Sequence, residues 1–151
     1  MKGDGGVTSM KTFRTKPILT ILSGPAASVA GGLLHQRVTN GIFVEVGGTS
    51  TNICIIKNGK PEIRYVTINE HPTCIRSMDV RILGVAGGSM CQIKNNRIYK
   101  VGPRSAHIAG LKYSCYAEPE ELEGGKITMI KPKENDDEYV AIENKGKTFA
   151  I

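Results

Sequence analysis

The sequence predicts a mixed α/β fold in which most of the strands form an antiparallel meander. Three observations predict it: one segment has the composition and capping residues of a helix, several apolar runs have the length of strands, and asparagine or glycine turns separate those runs. The chain has 151 residues, 40% hydrophobic and 23% charged, which is the size and composition of a globular domain with its own core.

The first elements are a short strand and a helix. Ile18–Leu22 has the apolar composition of a strand. Ser23 then suits a helix cap, Pro25 suits the first turn, and residues 26–36 are mostly good helix formers. The sequence therefore predicts a strand, a turn and a helix that ends near residue 36.

Three strands are predicted next, at Ile42–Val46, Ile53–Lys57 and Ile63–Ile68. Asn58-Gly59 lies between the second and third strands and is a strong hairpin signal, so an antiparallel meander is expected. Val80–Val85 is predicted to be a further, buried strand.

The remainder of the chain predicts hairpins. "CQIKNNRIYKV" predicts one that turns at Asn95-Asn96, and Ile127–Ile130 and Glu138–Ile142 are predicted strands with a turn after them in "ENKGK". The last residues, 148–151, begin an apolar strand pattern that would leave an open sheet edge. We therefore expect this chain to be a piece of a longer protein, truncated at its C-terminus.

The charge distribution separates residues 1–117 from residues 118–151. The first range has 15 Lys and Arg against 5 Asp and Glu, and the second has 5 against 9. A basic region attracts an anionic partner, either nucleic acid or a phosphorylated small molecule. Because the basic residues are unclustered, Trp is absent and aromatic residues make up only 5%, a nucleic-acid partner is not expected.

The spacing of the cysteines and the hydropathy of the chain argue against a zinc protein and against a membrane-spanning protein. Cys54, Cys74, Cys91 and Cys115 form no C-x-x-C pair, so a zinc site is not expected. No apolar run approaches the roughly 18 residues of a membrane span. The simplest interpretation is a cytoplasmic protein with free thiols and no membrane partner.

The stretch "FVEVGGTSTNICII" is the main candidate for a functional site. It places small and polar residues between two predicted strands: Gly47, Gly48, Thr49, Ser50, Thr51 and Asn52. Converging backbone N–H groups at such a turn favour an anion, and glycine lets a phosphate approach the backbone closely. Spacing alone favours an ordinary turn, whereas the run of hydroxyl and amide side chains favours a phosphate pocket.

Five long motifs follow one another along the chain: "GDGGVTS", "ILSGPAASVAGG", "VEVGGTSTNICIIKNGKP", "DVRILGVAGGSM" and "VGPRSAHIAGLKY". With them the chain resembles the hydantoinase A / 5-oxoprolinase family, which includes acetone carboxylase subunits. The resemblance implies the fold of actin, heat-shock chaperones and sugar kinases, in which two lobes with RNase H-like sheets close on ATP. It also implies an ATP-dependent enzyme that activates a cyclic amide or carbonyl substrate by phosphorylation before hydrolysis or carboxylation.

The resemblance assigns residues 1–117 to the opening part of the second lobe and residues 118–151 to an acidic, strand-containing extension. It makes the hairpin at 47–52 that lobe's phosphate-binding element, with ATP and Mg²⁺ as cofactors. Gly87, Gly88 and Ser89 offer a second close approach of the backbone to the nucleotide, although a tight turn explains them nearly as well. The expected partners are the other lobe and a second subunit.

Two departures from the family pattern bear on function. Glu45 and Asn52 stand where the family has aspartates; Glu45 keeps the charge and is expected to contact Mg²⁺ through water, whereas Asn52 supplies none. In "GPRSAHIAGL" the resemblance places Arg104, Ser105 and His107 on the substrate side, although a lone histidine is more often structural. The alternative is a non-catalytic binding or assembly module of a multisubunit enzyme.

Overall fold

The structure is a computed structural model that describes all 151 residues, and they form two compact units. The first unit consists of residues 1–45 and 52–82, and the second consists of residues 46–51 and 83–151. The boundary predicted after residue 117 lies inside the second unit. The assignment of residues 1–117 and 118–151 to parts of a lobe stays a prediction.

The chain contains four α-helices, and only the second is long. The helical elements are α1 Met10–Thr15, a 3₁₀ helix Pro17–Thr20, α2 Ser23–Gln36, α3 Ala106–Ala109, a 3₁₀ turn Ser114–Tyr116 and α4 Pro119–Leu122. None of the helices combines the length and the apolar composition needed to span a bilayer.

Twelve strands, paired mostly antiparallel, complete the predicted mixed α/β class, which is confirmed. The strands are β1 Gly41–Val46, β2 Thr51–Lys57, β3 Lys60–Pro61, β4 Ile63–Ile68, β5 His71–Met78, β6 Val80–Leu83, β7 Ser89–Lys94, β8 Arg97–Ser105, β9 Lys112–Tyr113, β10 Lys126–Ile130, β11 Tyr139–Asn144 and β12 Lys147–Ala150.

The predicted helix is present as α2, but the strand predicted before it is wrong. Residues 17–20 form a 3₁₀ helix, which Pro17 opens because its ring fixes a helical φ. The Thr20 hydroxyl donates back to the Pro17 carbonyl at 2.8 Å and closes the turn. Leu22, with φ 56°, occupies the cap position of α2, and Ser23 is the first helical residue.

The core of the first unit lies between α2 and one face of the β1–β2 sheet. Ala26 and Val29 of α2 are fully buried with Cys54 and Ile56 of β2. Gly32 explains how the helix fits there, because a β-carbon at this position would come within 2.7 Å of the Phe43 ring. The glycine inside the helix therefore provides close packing, which offsets its poor helix propensity.

The predicted meander is only partly correct. β1, β2 and β3 are neighbours, and Asn58-Gly59 turns β2 into β3 as predicted. However, β4 does not pair with β2; it pairs with β5 in a separate two-stranded sheet. Pro61 has no N–H group to continue the ladder, so the pairing with β2 stops after two residues.

The strand predicted at Val80–Val85 is shorter and less buried than expected. β6 ends at Leu83, and Arg81, Ile82 and Leu83 are exposed. An apolar run shows that a segment can be buried, but it does not show that another element covers it.

The second unit contains the hairpin predicted at Asn95-Asn96, formed by β7 and β8. Its four-stranded sheet has the order β10-β11-β12-β9, and its core includes Met90, Ala106, Tyr139 and Ala150. The expectation that the last strand leaves an open edge is wrong, because β12 pairs antiparallel with β11 on one side and parallel with β9 on the other.

Candidate functional site

The hairpin loop, residues 47–50, has backbone amides available for a ligand. The Gly47 N–H donates to the Ser50 carbonyl at 3.0 Å and closes the loop. Within the second unit, the N–H groups of Gly48, Thr49 and Ser50 have no acceptor. Gly48 is exposed, and a β-carbon there would meet no atom within 4 Å. Three adjacent amides without an acceptor are donors that an anion at this loop could use.

A second glycine loop, residues 84–88, lies against the hairpin loop in the same unit. The Gly87 N–H donates to the Gly47 carbonyl at 3.0 Å, and the Thr51 hydroxyl donates to the Val85 carbonyl at 2.6 Å. Two segments far apart in the chain, both predicted as parts of one site, are therefore in contact. The Thr51 hydroxyl is engaged in joining them.

Gly88 is required by close packing within this site. A β-carbon at Gly88 would overlap the Gly48 carbonyl oxygen and the hydroxyl of Tyr113. The Tyr113 hydroxyl is buried, and this burial raises its pKa. Tyr113 is thus a neutral phenol beside the glycine loops, and sequence reasoning did not single it out.

Ser89, a predicted nucleotide-binding residue, has a local role in the structure. Its hydroxyl accepts a hydrogen bond from the Ala86 N–H at 2.8 Å, and its own N–H donates to the Ala86 carbonyl at 3.1 Å. The side chain is buried. Ser89 therefore closes the second glycine loop.

Ser105 contacts the hairpin loop through its side chain. Its hydroxyl is fully buried, lies 3.1 Å from the Thr49 hydroxyl, and accepts from the Ile108 N–H at the start of α3. Ser105 is consequently a helix cap that also fixes the Thr49 side chain. His107, its neighbour on α3, is exposed and does not line the cavity beside this loop.

A cavity of about 410 Å³ opens beside Thr49 in the second unit. Its charged lining consists of two cations, Lys100 and Arg104, and two carboxylates, Asp136 and Asp137. Arg104 forms an ion pair with Asp136, and the hydrogen bond in that pair raises the pKa of the guanidinium. Lys100 pairs with Asp137 at 3.2 Å. The predicted substrate-side residue Arg104 thus lies in a charged cavity next to the hairpin loop.

Buried Gln92 holds Asp137 in place. The Gln92 amide donates to the Asp137 carboxylate at 3.1 Å, and the Tyr99 hydroxyl donates to the Gln92 carbonyl at 2.7 Å. The hydrogen bond from Gln92, followed by that from Lys100, lowers the pKa of Asp137. Asp137 is therefore a fixed anion at neutral pH.

Glu45 and Asn52, the two departures from the family pattern, are hydrogen-bonded to each other in the first unit. The Asn52 amide donates to one oxygen of Glu45 at 2.8 Å, and the Ser28 hydroxyl donates to the other at 3.1 Å. No group of three or more His, Cys, Asp or Glu residues in the chain is arranged to hold a metal ion. The water-mediated contact of Glu45 with Mg²⁺ stays a prediction.

Comparison with solved structures gives the class of fold. The chain resembles nucleotide-free acetone carboxylase, from work on the mechanism of ATP-dependent acetone carboxylation, with a TM-score of 0.61 and 25% sequence identity. The match covers 72% of this chain and 16% of the acetone carboxylase chain.

Sequence comparison identifies the family. Residues 1–129 match the family model described as Hydantoinase/oxoprolinase, so the chain belongs to this family. It is also similar to caprolactamase subunit alpha of Pseudomonas jessenii, with 29% identity over 109 residues. That match covers 70% of this chain and 16% of the relative, so the chain spans about a sixth of the length of each protein compared.

Proposed function

We propose that this chain supplies part of the nucleotide phosphate site of a cytoplasmic, ATP-dependent enzyme of the hydantoinase/5-oxoprolinase type. The observation that carries the proposal is the hairpin loop, in which Gly48, Thr49 and Ser50 present unpaired amides beside an unobstructed glycine. Family membership and the likeness to an enzyme of ATP-dependent carboxylation support the same assignment.

In this proposal the loop amides donate hydrogen bonds to phosphate oxygens, and the Ser50 hydroxyl adds a side-chain donor. Glu45 would contact a water of a Mg²⁺ ion bound with the nucleotide, and that ion would neutralise phosphate charge. Gly87 keeps the second glycine loop against the first through its bond to Gly47. Residues 1–117 open the second lobe of the enzyme, and residues 118–151 extend it.

The reaction we propose is transfer of the terminal phosphoryl group of ATP to the oxygen of a cyclic amide or carbonyl substrate. Water then attacks the activated amide carbon, or the enol phosphate of a carbonyl substrate is carboxylated at its α-carbon, and inorganic phosphate leaves in both cases. Phosphoryl transfer needs donors aimed at the moving group and exclusion of competing water. A second lobe and a companion subunit would close the site, so we expect this chain alone to bind nucleotide weakly and to have no turnover.

Amide chemical shifts of the uniformly ¹⁵N-labelled chain, titrated with Mg·ATP and separately with pyrophosphate, test this function. We expect saturable shifts at Gly48, Thr49 and Ser50. Gly48→Val should remove them, because its side chain would occupy the ligand position. Gly31→Val is the matched control, since a β-carbon at Gly31 also meets no atom within 4 Å. Unchanged loop amides in the wild-type chain, or an undiminished response in Gly48→Val, would overturn the assignment.

A non-catalytic binding module is the second candidate, and two observations favour it. Asn52 replaces a family aspartate and is engaged with Glu45. In the first unit, Ile42, Val44 and Ile55 are 70%, 54% and 51% exposed on the sheet face that α2 does not cover. Calorimetry of the intact parent enzyme with Mg·ATP separates the candidates: absence of binding heat would favour the module.

A further inference from the structure

The cavity beside Thr49 combines charges of both signs in one small space. Arg104 and Asp136 are mostly buried, with 21% and 13% of their side chains exposed, whereas Lys100 and Asp137 lie nearer the solvent. The cavity volume of about 410 Å³ is within the range of small-molecule sites. A ligand that matched this lining would carry a cation and an anion.

The charged groups keep unused hydrogen-bonding capacity. Arg104 donates one hydrogen bond, from Nη2 to Asp136, and its other N–H groups have no acceptor. Asp137 accepts from Gln92 and Lys100 through Oδ2 alone, so its Oδ1 is free. The cavity therefore offers a fixed, partly unused donor near Thr49 and a fixed, partly unused acceptor at Asp137.

The chemistry of a cyclic amide produces a molecule with this charge pattern. Hydrolysis breaks the ring C–N bond: the water oxygen goes to the carbonyl carbon, which becomes a carboxylate, and the nitrogen takes up protons and becomes an ammonium. Both groups stay on one molecule because the ring joined them. The substrate ring need carry no charge, whereas the linear product is a zwitterion.

We propose that this cavity binds the linear ω-amino acid formed when a cyclic amide is opened, with its carboxylate on Arg104 and its ammonium on Asp137. This inference rests on the proposed function. The orientation follows from Thr49, which lines the cavity and belongs to the hairpin loop, and whose hydroxyl contacts Ser105, the residue after Arg104. The carboxylate end thereby lies on the side where the substrate oxygen would receive the phosphoryl group.

Calorimetry of the 151-residue chain with three ligands of one length tests the proposal: 5-aminopentanoate, pentanoate and pentylamine. Each of the last two lacks one charge. We expect 5-aminopentanoate to bind about 10-fold more tightly than either, which corresponds to about 1.4 kcal/mol. Neutral δ-valerolactam should also bind more weakly than the zwitterion.

Two variants assign the two ends of the ligand. Arg104→Gln should abolish the preference for 5-aminopentanoate over pentylamine, and Asp137→Asn should abolish its preference over pentanoate. Arg97→Gln is the control, because Arg97 is exposed and does not line the cavity. Circular dichroism checks that each variant is folded. If Arg104→Gln unfolds, the affinities of Asp137→Asn for 5-aminopentanoate and pentanoate test the proposal instead, because Asp137 is more exposed and its substitution is less disruptive.

Equal affinity for the three ligands, or no binding of 5-aminopentanoate, would overturn this inference. The same sample titrated with Mg·ATP separates it from the proposed function. Loop amides that respond to Mg·ATP without any zwitterion preference would leave the nucleotide site standing and remove only the product site. Zwitterion preference without an amide response would overturn the nucleotide site and leave an amino-acid site.

Discussion

The hairpin loop before β2 and the Asn58-Gly59 turn after β2 use their backbone amides in opposite ways. In the loop after β2, the Asn58 N–H donates to the Asn40 side chain at 3.0 Å and the Gly59 N–H donates to the Thr39 carbonyl at 2.7 Å. In the loop before β2, residues 47–50, only the Gly47 amide is used in this way within its unit. A loop whose amides are engaged reverses the chain, whereas the unpaired amides of residues 48–50 remain available to donate to a ligand.

Gly59, Gly88 and Gly48 also differ in whether the fold requires a glycine at their positions. Gly59 has φ +72°, a conformation that other residues rarely adopt. Gly88 is needed because a β-carbon would overlap its neighbours. Gly48 has neither a positive φ nor a crowded β-position, so the fold itself does not require a glycine there. Under the proposed function, a phosphate that approaches the backbone is the reason for a glycine at this position.

The largest expected effect comes from Gly88→Ala. The new β-carbon would collide with the Gly48 carbonyl and the Tyr113 hydroxyl, and we expect the free energy of unfolding to fall by about 3 kcal/mol. Urea denaturation measures it. Gly48→Ala is the matched control and should change stability by less than about 0.5 kcal/mol. Equal losses in the two variants would break the distinction between a packing glycine and a ligand glycine.

Removing the Ser105 hydroxyl should have the next largest effect. Ser105→Ala loses the contact with Thr49 and the cap of α3 at a fully buried position, so we expect a loss of about 2 kcal/mol. Ser9 caps α1 and also contacts a threonine hydroxyl, but it is exposed. Ser9→Ala should therefore cost about 0.5 kcal/mol. If both variants lose the same stability, burial of Ser105 does not support the hairpin loop.

Gly59→Ala tests the conformational glycine. We expect a loss of about 1 kcal/mol from the strain of a β-carbon at positive φ, with no change in the Mg·ATP response. Gly31→Ala, inside α2 with an open β-position, should instead stabilise the chain by about 0.5–1 kcal/mol. Denaturation curves of both variants check the signs. A destabilised Gly31→Ala would show that backbone conformation does not separate the two positions.

The smallest expected effect concerns the stability of the chain in acid, which limits the pH range in which the loop variants can be compared. Hydrogen bonds from Lys112, from the Glu118 amide and from Lys147 lower the pKa of Glu121 from its usual 4.5 to about 2. A lowered folded-state pKa stabilises the chain above pH 4.5, and that stability is lost as the pH falls towards 2. Urea midpoints of Glu121→Gln should vary less over this range than those of Glu123→Gln. Parallel curves would contradict this role.

The sequence predicts the hairpin turns correctly, because their conformation depends on the residues of the turn itself. Asn58-Gly59 and Asn95-Asn96 turn hairpins because asparagine and glycine tolerate positive φ. By contrast, the partner of β4 and the exposure of β6 depend on distant segments, which no local pattern encodes. The strand predicted at Ile18–Leu22 rests on apolar composition alone, which does not distinguish a short strand from the 3₁₀ helix at Pro17–Thr20.

The candidate site was predictable to a similar extent. The glycine motifs singled out Gly47, Gly48, Gly87 and Gly88, but only the structure puts the two loops in contact. Asp136 and Asp137 are more than thirty residues from Arg104 along the chain, within an acidic run that resembles a solvated extension. Tyr113 follows an ordinary turn, and no residue pattern indicates that its hydroxyl is buried beside Gly88.

The position of β12 has a practical consequence for handling the molecule. Residues 147–150 form the strand between β11 and β9 in the second unit's sheet, and the Ile151 carbonyl accepts from the Cys91 N–H at 3.3 Å. Deletion of these residues would separate β11 from β9 and expose the side chains that pack against Phe149 to solvent. An affinity tag or fluorophore is therefore safer at the amino terminus.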